Sequence, residues 1–149
     1  MNIAEVLKKE RIDLKVSAQT KKEALEKLTE LLDRSGALTD KAAFLGDVLR
    51  REEISTTGIG NGIAIPHGKS ASVAETTVAI GRLENAVEWE SVDDKPVKLV
   101  VLLAVSESDK GTSHVKLLSN MARKLASEKN CRRLLEAQNA EELIDIFSE

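Results

Sequence analysis

Seven consecutive apolar residues, Leu99 to Val105, lie inside the stretch "VKLVVLLAVS", Val97–Ser106. A strand with one wet face alternates apolar and polar side chains, so a run that is apolar at successive positions has to be covered on both faces. The run is far short of the roughly 20 residues that a helix needs to cross a bilayer, so no direct membrane insertion is expected. It reads as the central strand of a sheet between two layers. Other strands flank it in the sequence: "IDLKV", Ile12–Val16, alternates with period two, and "TTVAIGRLE", Thr76–Glu84, is rich in β-branched residues.

The covering layers are amphipathic helices. "TKKEALEKLTELLDRSG" places Ala24, Leu25, Leu28, Leu31 and Leu32 on one face, with Thr20 and Glu23 as a capping box and Gly36 as its stop. "TDKAAFLGDVLRREE" predicts a second helix, with Thr39 as N-cap, Phe44, Leu45, Val48 and Leu49 inward, and an end near Arg51. "SHVKLLSNMARKLA" predicts a third, with Ser113 as cap and Val115, Leu118, Met121, Ala122 and Leu125 as its apolar positions. "NCRRLLEAQ" and "NAEELIDIF" predict two short helices, the last opened by Asn139 and Glu142. Trp89, in the turn-rich segment between the two long strands, is expected at a core edge. Intermingled strands and helices over 149 residues fit an α/β layered sandwich forming a single domain, residues 1–149.

Composition excludes several function classes. Net charge is −3, with 25 acidic and 22 basic side chains interspersed, so no nucleic acid partner is expected. Phe44, Trp89 and Phe147 are the whole aromatic complement, too few for a base-stacking platform. The single cysteine, Cys131, can form no internal disulfide, and "MNIAEVLKKERIDLKV" carries charges where a signal peptide needs apolar residues, so the chain reads as cytoplasmic. Two histidines and one cysteine lack zinc-site spacing, so no metal is expected.

The rare residues gather in "GIGNGIAIPHGKS", Gly58–Ser70. Gly58, Gly60 and Gly62 run into strand-like "IAIPH" rather than opening a helix, which excludes a dinucleotide fingerprint, and Gly68-Lys69-Ser70 lacks the spacing of a triphosphate loop. The glycines are instead expected to allow left-handed or tight backbone geometry, keeping the backbone thin beside a site where another molecule comes close. Pro66 is expected to end the strand and leave His67 at its terminus, flanked by Gly68. An imidazole titrates near neutral pH and retains a free lone pair there, so His67 suits a nucleophile, although a hydrogen-bonded structural histidine at a turn fits the stretch as well.

His114 follows Ser113 at a helix start, where unpaired N–H groups and the dipole favour an anion and a neutral imidazole; a plain exposed residue is the alternative. Arg51 offers a planar fork to phosphate, or is a solvated charge. With the hydroxyls of Ser55, Thr56 and Thr57, these residues suggest a phosphohistidine relay.

"REEISTTGIGNGIAIPHGK", Arg51–Lys69, resembles the active-site signature of the type 2 enzyme IIA domains of the bacterial phosphotransferase system. The resemblance continues through "DDKPVKLVVLLAVS", "SHVKLLSNMARKLA" and "CRRLLEAQNAEEL", covers about Ile12 to Phe147, and is closest to the nitrogen-regulatory branch, with the fructose type next. It implies a layered α/β/α sandwich with a mixed sheet. It also implies a phosphotransferase component in which His67 accepts phosphate from an HPr-like phosphocarrier protein and His114 and Arg51 support the phosphorylated state, with no cofactor. Ser55, Thr56, Thr57, Asn61, Gly68 and Ser113 are the accompanying phosphate-binding or docking candidates.

Many nitrogen-branch relatives carry a second histidine two residues beyond the position of His114, where this chain has Lys116, and some sugar-specific relatives carry a carboxylate at the position of Asn61. The resemblance implies a regulatory output through target proteins; the alternatives are a fructose-type component passing phosphate to a IIB domain for sugar uptake, and a non-catalytic binding module.

Overall fold

The structure is a computed structural model that describes residues 3–109 and 113–149, Ser113 by its backbone alone. In chain order the elements are α1 (Ile3–Val6), a 3-10 turn (Lys9–Arg11), β1 (Ile12–Val16), α2 (Lys21–Arg34), α3 (Lys41–Ile54), β2 (Gly58–Gly60), β3 (Ile63–Ala64), β4 (His67–Ser70), β5 (Thr77–Val87), β6 (Val97–Ser106), α4 (Ser113–Leu125), α5 (Glu128–Glu136) and α6 (Ala140–Ser148).

As its apolar run requires, β6 lies inside the sheet. It pairs antiparallel with β5 on one side, from Thr77 opposite Ala104 to Arg82 opposite Leu99. On the other side β3 and β4 pair with it in parallel, one after the other: Ile63 opposite Leu99, then His67 opposite Leu103. The sheet order is β1-β5-β6-β3-β2, with β1 parallel to β5, so the sheet is mixed.

Side chains of β6 alternate between two cores. Val100, Leu102 and Ala104 join Leu25, Leu28 and Leu32 of α2 and Phe44 and Val48 of α3. Leu99, Val101, Leu103 and Val105 face the opposite layer, where Leu117, Met121, Leu134, Leu143 and Phe147 close the second core. Period-two geometry thus turns one continuous apolar run into the hydrophobic face of both layers.

Two of the expected helix caps form. Thr20 caps α2 by accepting from the Glu23 N–H at 3.1 Å, and Asn139 caps α6 by accepting from the Glu142 N–H at 2.8 Å. Trp89 is 6% exposed, at the edge of the first core.

Four local expectations are corrected. The cap of α3 is Asp40, whose carboxylate accepts from the Ala43 N–H at 3.1 Å; Thr39 instead bonds the Ser72 carbonyl, tying the turn to the segment after β4. The same helix continues one turn past Arg51 to Ile54. The α5 helix starts earlier than expected, capped by Ser127. The buried stripe of α4 is Leu117, Met121 and Leu125, while Val115 is 51% exposed. An i, i+4 series and an i, i+3/i+4 series coexist in "HVKLLSNMARKL", and packing against β6 selects the first.

Candidate functional site

Pro66 interrupts a strand rather than ending one. Lacking an N–H, it cannot donate to β6, and the preceding Ile65 N–H turns away to the Thr57 carbonyl at 2.9 Å. The Pro66 carbonyl still accepts from the Leu103 N–H at 2.9 Å, and the ladder resumes at once, so His67 begins β4 instead of closing "IAIPH".

The glycines serve the protein's own packing. A Cβ on Gly68 would stand 2.9 Å from Val48 Cγ2 and 3.4 Å from Phe44 Cε1, so the bare backbone lets α3 lie directly against β4. One on Gly58 would stand 2.6 Å from the Glu90 carbonyl oxygen, where the strand touches the segment before β6. Gly60, Asn61 and Gly62 all have positive φ (96°, 57° and 79°) and form the tight turn between β2 and β3.

Because α3 packs so closely, its last turns reach the His67 end of β4, while the first turn of α4 arrives from the other layer. Between them opens a cavity of about 590 Å³. His67, Gly68 and Lys69 form its floor with Leu103 and Val105. Asp47, Arg50, Arg51 and Ile54 form the α3 wall, and His114, Val115 and Leu118 the α4 wall. Arg50 is paired with Asp47, whereas the Arg51 guanidinium and the Lys69 ammonium have no hydrogen bond or ion pair among the described residues. The cavity therefore presents unspent positive charge to an anion.

His67 is half-buried, and its Nδ1 stands 3.5 Å from the Ile65 carbonyl oxygen. A proton on Nδ1 faces that acceptor, which leaves the Nε2 lone pair free. Burial holds the imidazole pKa below its ordinary value; Arg51 and His114 push the same way, while the Ile65 carbonyl and Glu52 oppose them. The shift favours the neutral ring, the form a nitrogen nucleophile needs. His114 has its Nδ1 buried with no hydrogen-bond partner among the described residues.

The remaining sequence candidates are not gathered at this cavity. Ser55 and Thr56 are exposed beyond the end of α3 and are absent from the cavity wall. Thr57 is 4% exposed, and its hydroxyl is committed: it donates to the Glu52 carboxylate at 2.6 and 2.9 Å and accepts from Trp89 Nε1 at 2.9 Å. Asn61 stands in the β2–β3 turn, its N–H donating to Asp93 at 3.1 Å. The side chain of Ser113, as cap or as phosphate ligand, lies outside the described residues. Sequence reasoning overlooked the apolar part of the cavity wall, Ile54, Val115 and Leu118. Ile54 offered a signal as a lone apolar residue among the charges of "RREEIST", and Val115 was absorbed into the expected core stripe.

Among the described residues no group of three or more His, Cys, Asp and Glu side chains could hold a metal ion, and no helix is long and apolar enough to cross a membrane.

Comparison with known proteins agrees with this architecture. Residues 5–149 match the family described as "Phosphoenolpyruvate-dependent sugar phosphotransferase system, EIIA 2". The chain is 39% identical over 152 residues to a nitrogen regulatory protein of Klebsiella oxytoca, covering 100% of this chain and 91% of that protein. It is 38% identical over 149 residues to the fructose-specific EIIABC component of the Bacillus subtilis phosphotransferase system, of whose length it spans only 23%. The crystal structure of nitrogen regulatory protein IIA-Ntr from Neisseria meningitidis superimposes with a TM-score of 0.89 at 33% identity, over 97% of this chain and 98% of that one. With nearly its whole length matched, the chain belongs to the type 2 EIIA family of the phosphoenolpyruvate-dependent sugar phosphotransferase system.

Proposed function

We propose that His67 is the phosphoryl acceptor of this EIIA protein, taking its phosphoryl group from an HPr-like phosphocarrier and acting in regulation. The observation that carries the reading is an imidazole kept neutral at the floor of a cationic cavity, with Nδ1 turned to the Ile65 carbonyl and Nε2 free. In the transfer the Nε2 lone pair forms the new P–N bond as the bond from phosphorus to the carrier breaks, its electron pair leaving with the carrier; the Nδ1 proton stays on His67. The step is positioning and charge stabilisation of an in-line displacement. Arg51 offers its fork to the phosphoryl oxygens, and His114 supports them from the start of α4. Phosphorylation brings about −1.5 to −2 charges into the cavity at neutral pH, which changes the partners that can dock between Ile54 and Val115.

The regulatory output is supported by likeness to the nitrogen regulatory proteins in sequence and fold. The fructose-specific relative supports a second reading, in which phosphate passes on to a IIB domain and then to sugar. The test is incubation with labelled phosphoenolpyruvate, its protein kinase and the phosphocarrier. Acid-labile label on the wild type and none on His67→Ala is the expected result, and an unlabelled wild type would leave only a binding module. Rapid passage of label to a IIB domain and onward to sugar would replace regulation by transport.

A further inference from the structure

The geometry points to Lys21, Glu52, Thr57 and Trp89 as a positioning network that fixes the last turn of α3 so that Arg51 faces the cavity above His67. The inference rests on the reading of His67 as phosphoryl acceptor and deepens it.

Glu52 is an awkwardly placed carboxylate. Glu52 lies in the last turn of α3, at the negative end of the helix dipole, and its side chain is 4% exposed. Both circumstances disfavour a carboxylate unless specific partners compensate. It has them: Lys21 Nζ at 3.2 Å from the start of α2, and the Thr57 hydroxyl at 2.6 and 2.9 Å. Thr57 is held in turn by Trp89 Nε1 at 2.9 Å, and its carbonyl accepts from Ile65 two residues before His67. Lys21 is clamped as well, 2.7 Å from Glu90 and 5.2 Å above the Trp89 ring.

Every link joins the end of α3 to a different part of the framework: α2, the strand leading to His67, and the segment before β6. Successive helical residues are about 100° apart, so an anchor on Glu52 sets the direction of its neighbour Arg51. Among the described residues no other side chain of that turn, Arg51–Ile54, makes a hydrogen bond or ion pair. Its backbone cap is the Ser55 N–H on the Arg51 carbonyl at 3.3 Å, and Ile54, Ser55 and Thr56 are exposed. Without Thr57 or Lys21, Glu52 is free to swing onto the Arg51 guanidinium and withdraw its charge from the cavity.

The test reads the His67 titration by NMR on the unphosphorylated protein, so its outcome does not depend on phosphoryl transfer. The charged groups around His67 are Asp47, Arg50, Arg51 and Glu52 of α3, His114 of α4 and Lys69 of its own strand. Thr57→Val and Lys21→Met each leave these groups in place. Both are expected to raise the His67 midpoint toward that of Arg51→Ala, with no further rise when combined with Arg51→Ala. Thr57→Ser should keep the wild-type midpoint, and Asn139→Ala, which removes the α6 cap, should lower stability and leave the midpoint alone. Phosphoryl acceptance in Thr57→Val and Lys21→Met should fall about tenfold to a hundredfold, the scale of a misplaced catalytic group. A folded Lys21→Met or Thr57→Val protein with the wild-type midpoint would overturn the network. A wild type that takes no label while the midpoints shift as described would instead remove the proposed function and leave the positioning intact.

Discussion

Gly68→Ala tests how the site is assembled. The added Cβ would stand 2.9 Å from Val48 Cγ2 and 3.4 Å from Phe44 Cε1, two side chains with no exposed surface, and 3.6 Å from the Val48 backbone nitrogen. Relief requires α3 to move away from β4 or Val48 to repack. Overpacking of this kind costs about 1–3 kcal/mol, while restricting the unfolded chain returns about 0.4–1 kcal/mol, so a net loss of about 1–2 kcal/mol is expected. For a chain of this size that lowers Tm by roughly 2–8 °C. The diagnostic measurement is a double-mutant cycle by urea unfolding with Val48→Ala, which deletes the clashing methyl. Val48→Ala should cost about 2 kcal/mol alone but clearly less on Gly68→Ala, a coupling of about 1 kcal/mol or more. Because Arg51 follows Val48 by one turn, Gly68→Ala should also slow phosphoryl acceptance, and Val48→Ala should restore part of it. Additive stabilities would show that α3 does not rest on the bare backbone of Gly68.

Other expectations concern the site and one turn. The folded pKa of His67 is depressed, so its unfolded form binds the more protons between the two pKa values; its contribution to stability is complete above the ordinary pKa near 6.5 and is lost as pH falls through the folded value. Phosphoryl acceptance should accordingly hold its plateau below pH 6.5, and a rate that halves at or above that pH would contradict the depression. Arg51→Ala should destabilise phosphohistidine by about 1.5 kcal/mol, the lower end for a charged hydrogen bond because this arginine is exposed, read as a shortened lifetime of the phosphoprotein. Asn61 has φ 57°, so Asn61→Val should lower stability by about 1–2 kcal/mol while Asn61→Gly stays near wild type in thermal unfolding; equal tolerance of valine would show that the turn is not held left-handed.

The layered fold was readable because burial on both faces leaves a direct trace: Leu99–Val105 is apolar at every position, and each residue goes to one of two cores. Helix caps such as Thr20 and Asn139 are equally local, being bonds to backbone three residues on. What could not be read depended on distant partners. The extra turn of α3 is held by Lys21, 31 positions from Glu52, and the engagement of Thr57 depends on Trp89, 32 positions away. The apolar stripe of α4 was ambiguous because Val115, which lines the cavity and is 51% exposed, satisfies the same periodicity as the core face. His67, Arg51 and His114 could be singled out by residue type and local context, and the structure places all three on one cavity. The hydroxyls of Ser55, Thr56 and Thr57, adjacent in sequence, are not on it.

A single nitrogen atom carries the proposed transfer, and ¹⁵N-edited NMR of the imidazoles after incubation with phosphoenolpyruvate, its kinase and the phosphocarrier addresses that atom directly. Phosphorus coupling to Nε2 of His67, with the Nδ1 proton retained and the His114 ring unmodified, is the predicted spectrum. Coupling to His114, to Nδ1 of His67 or to no imidazole at all would contradict it.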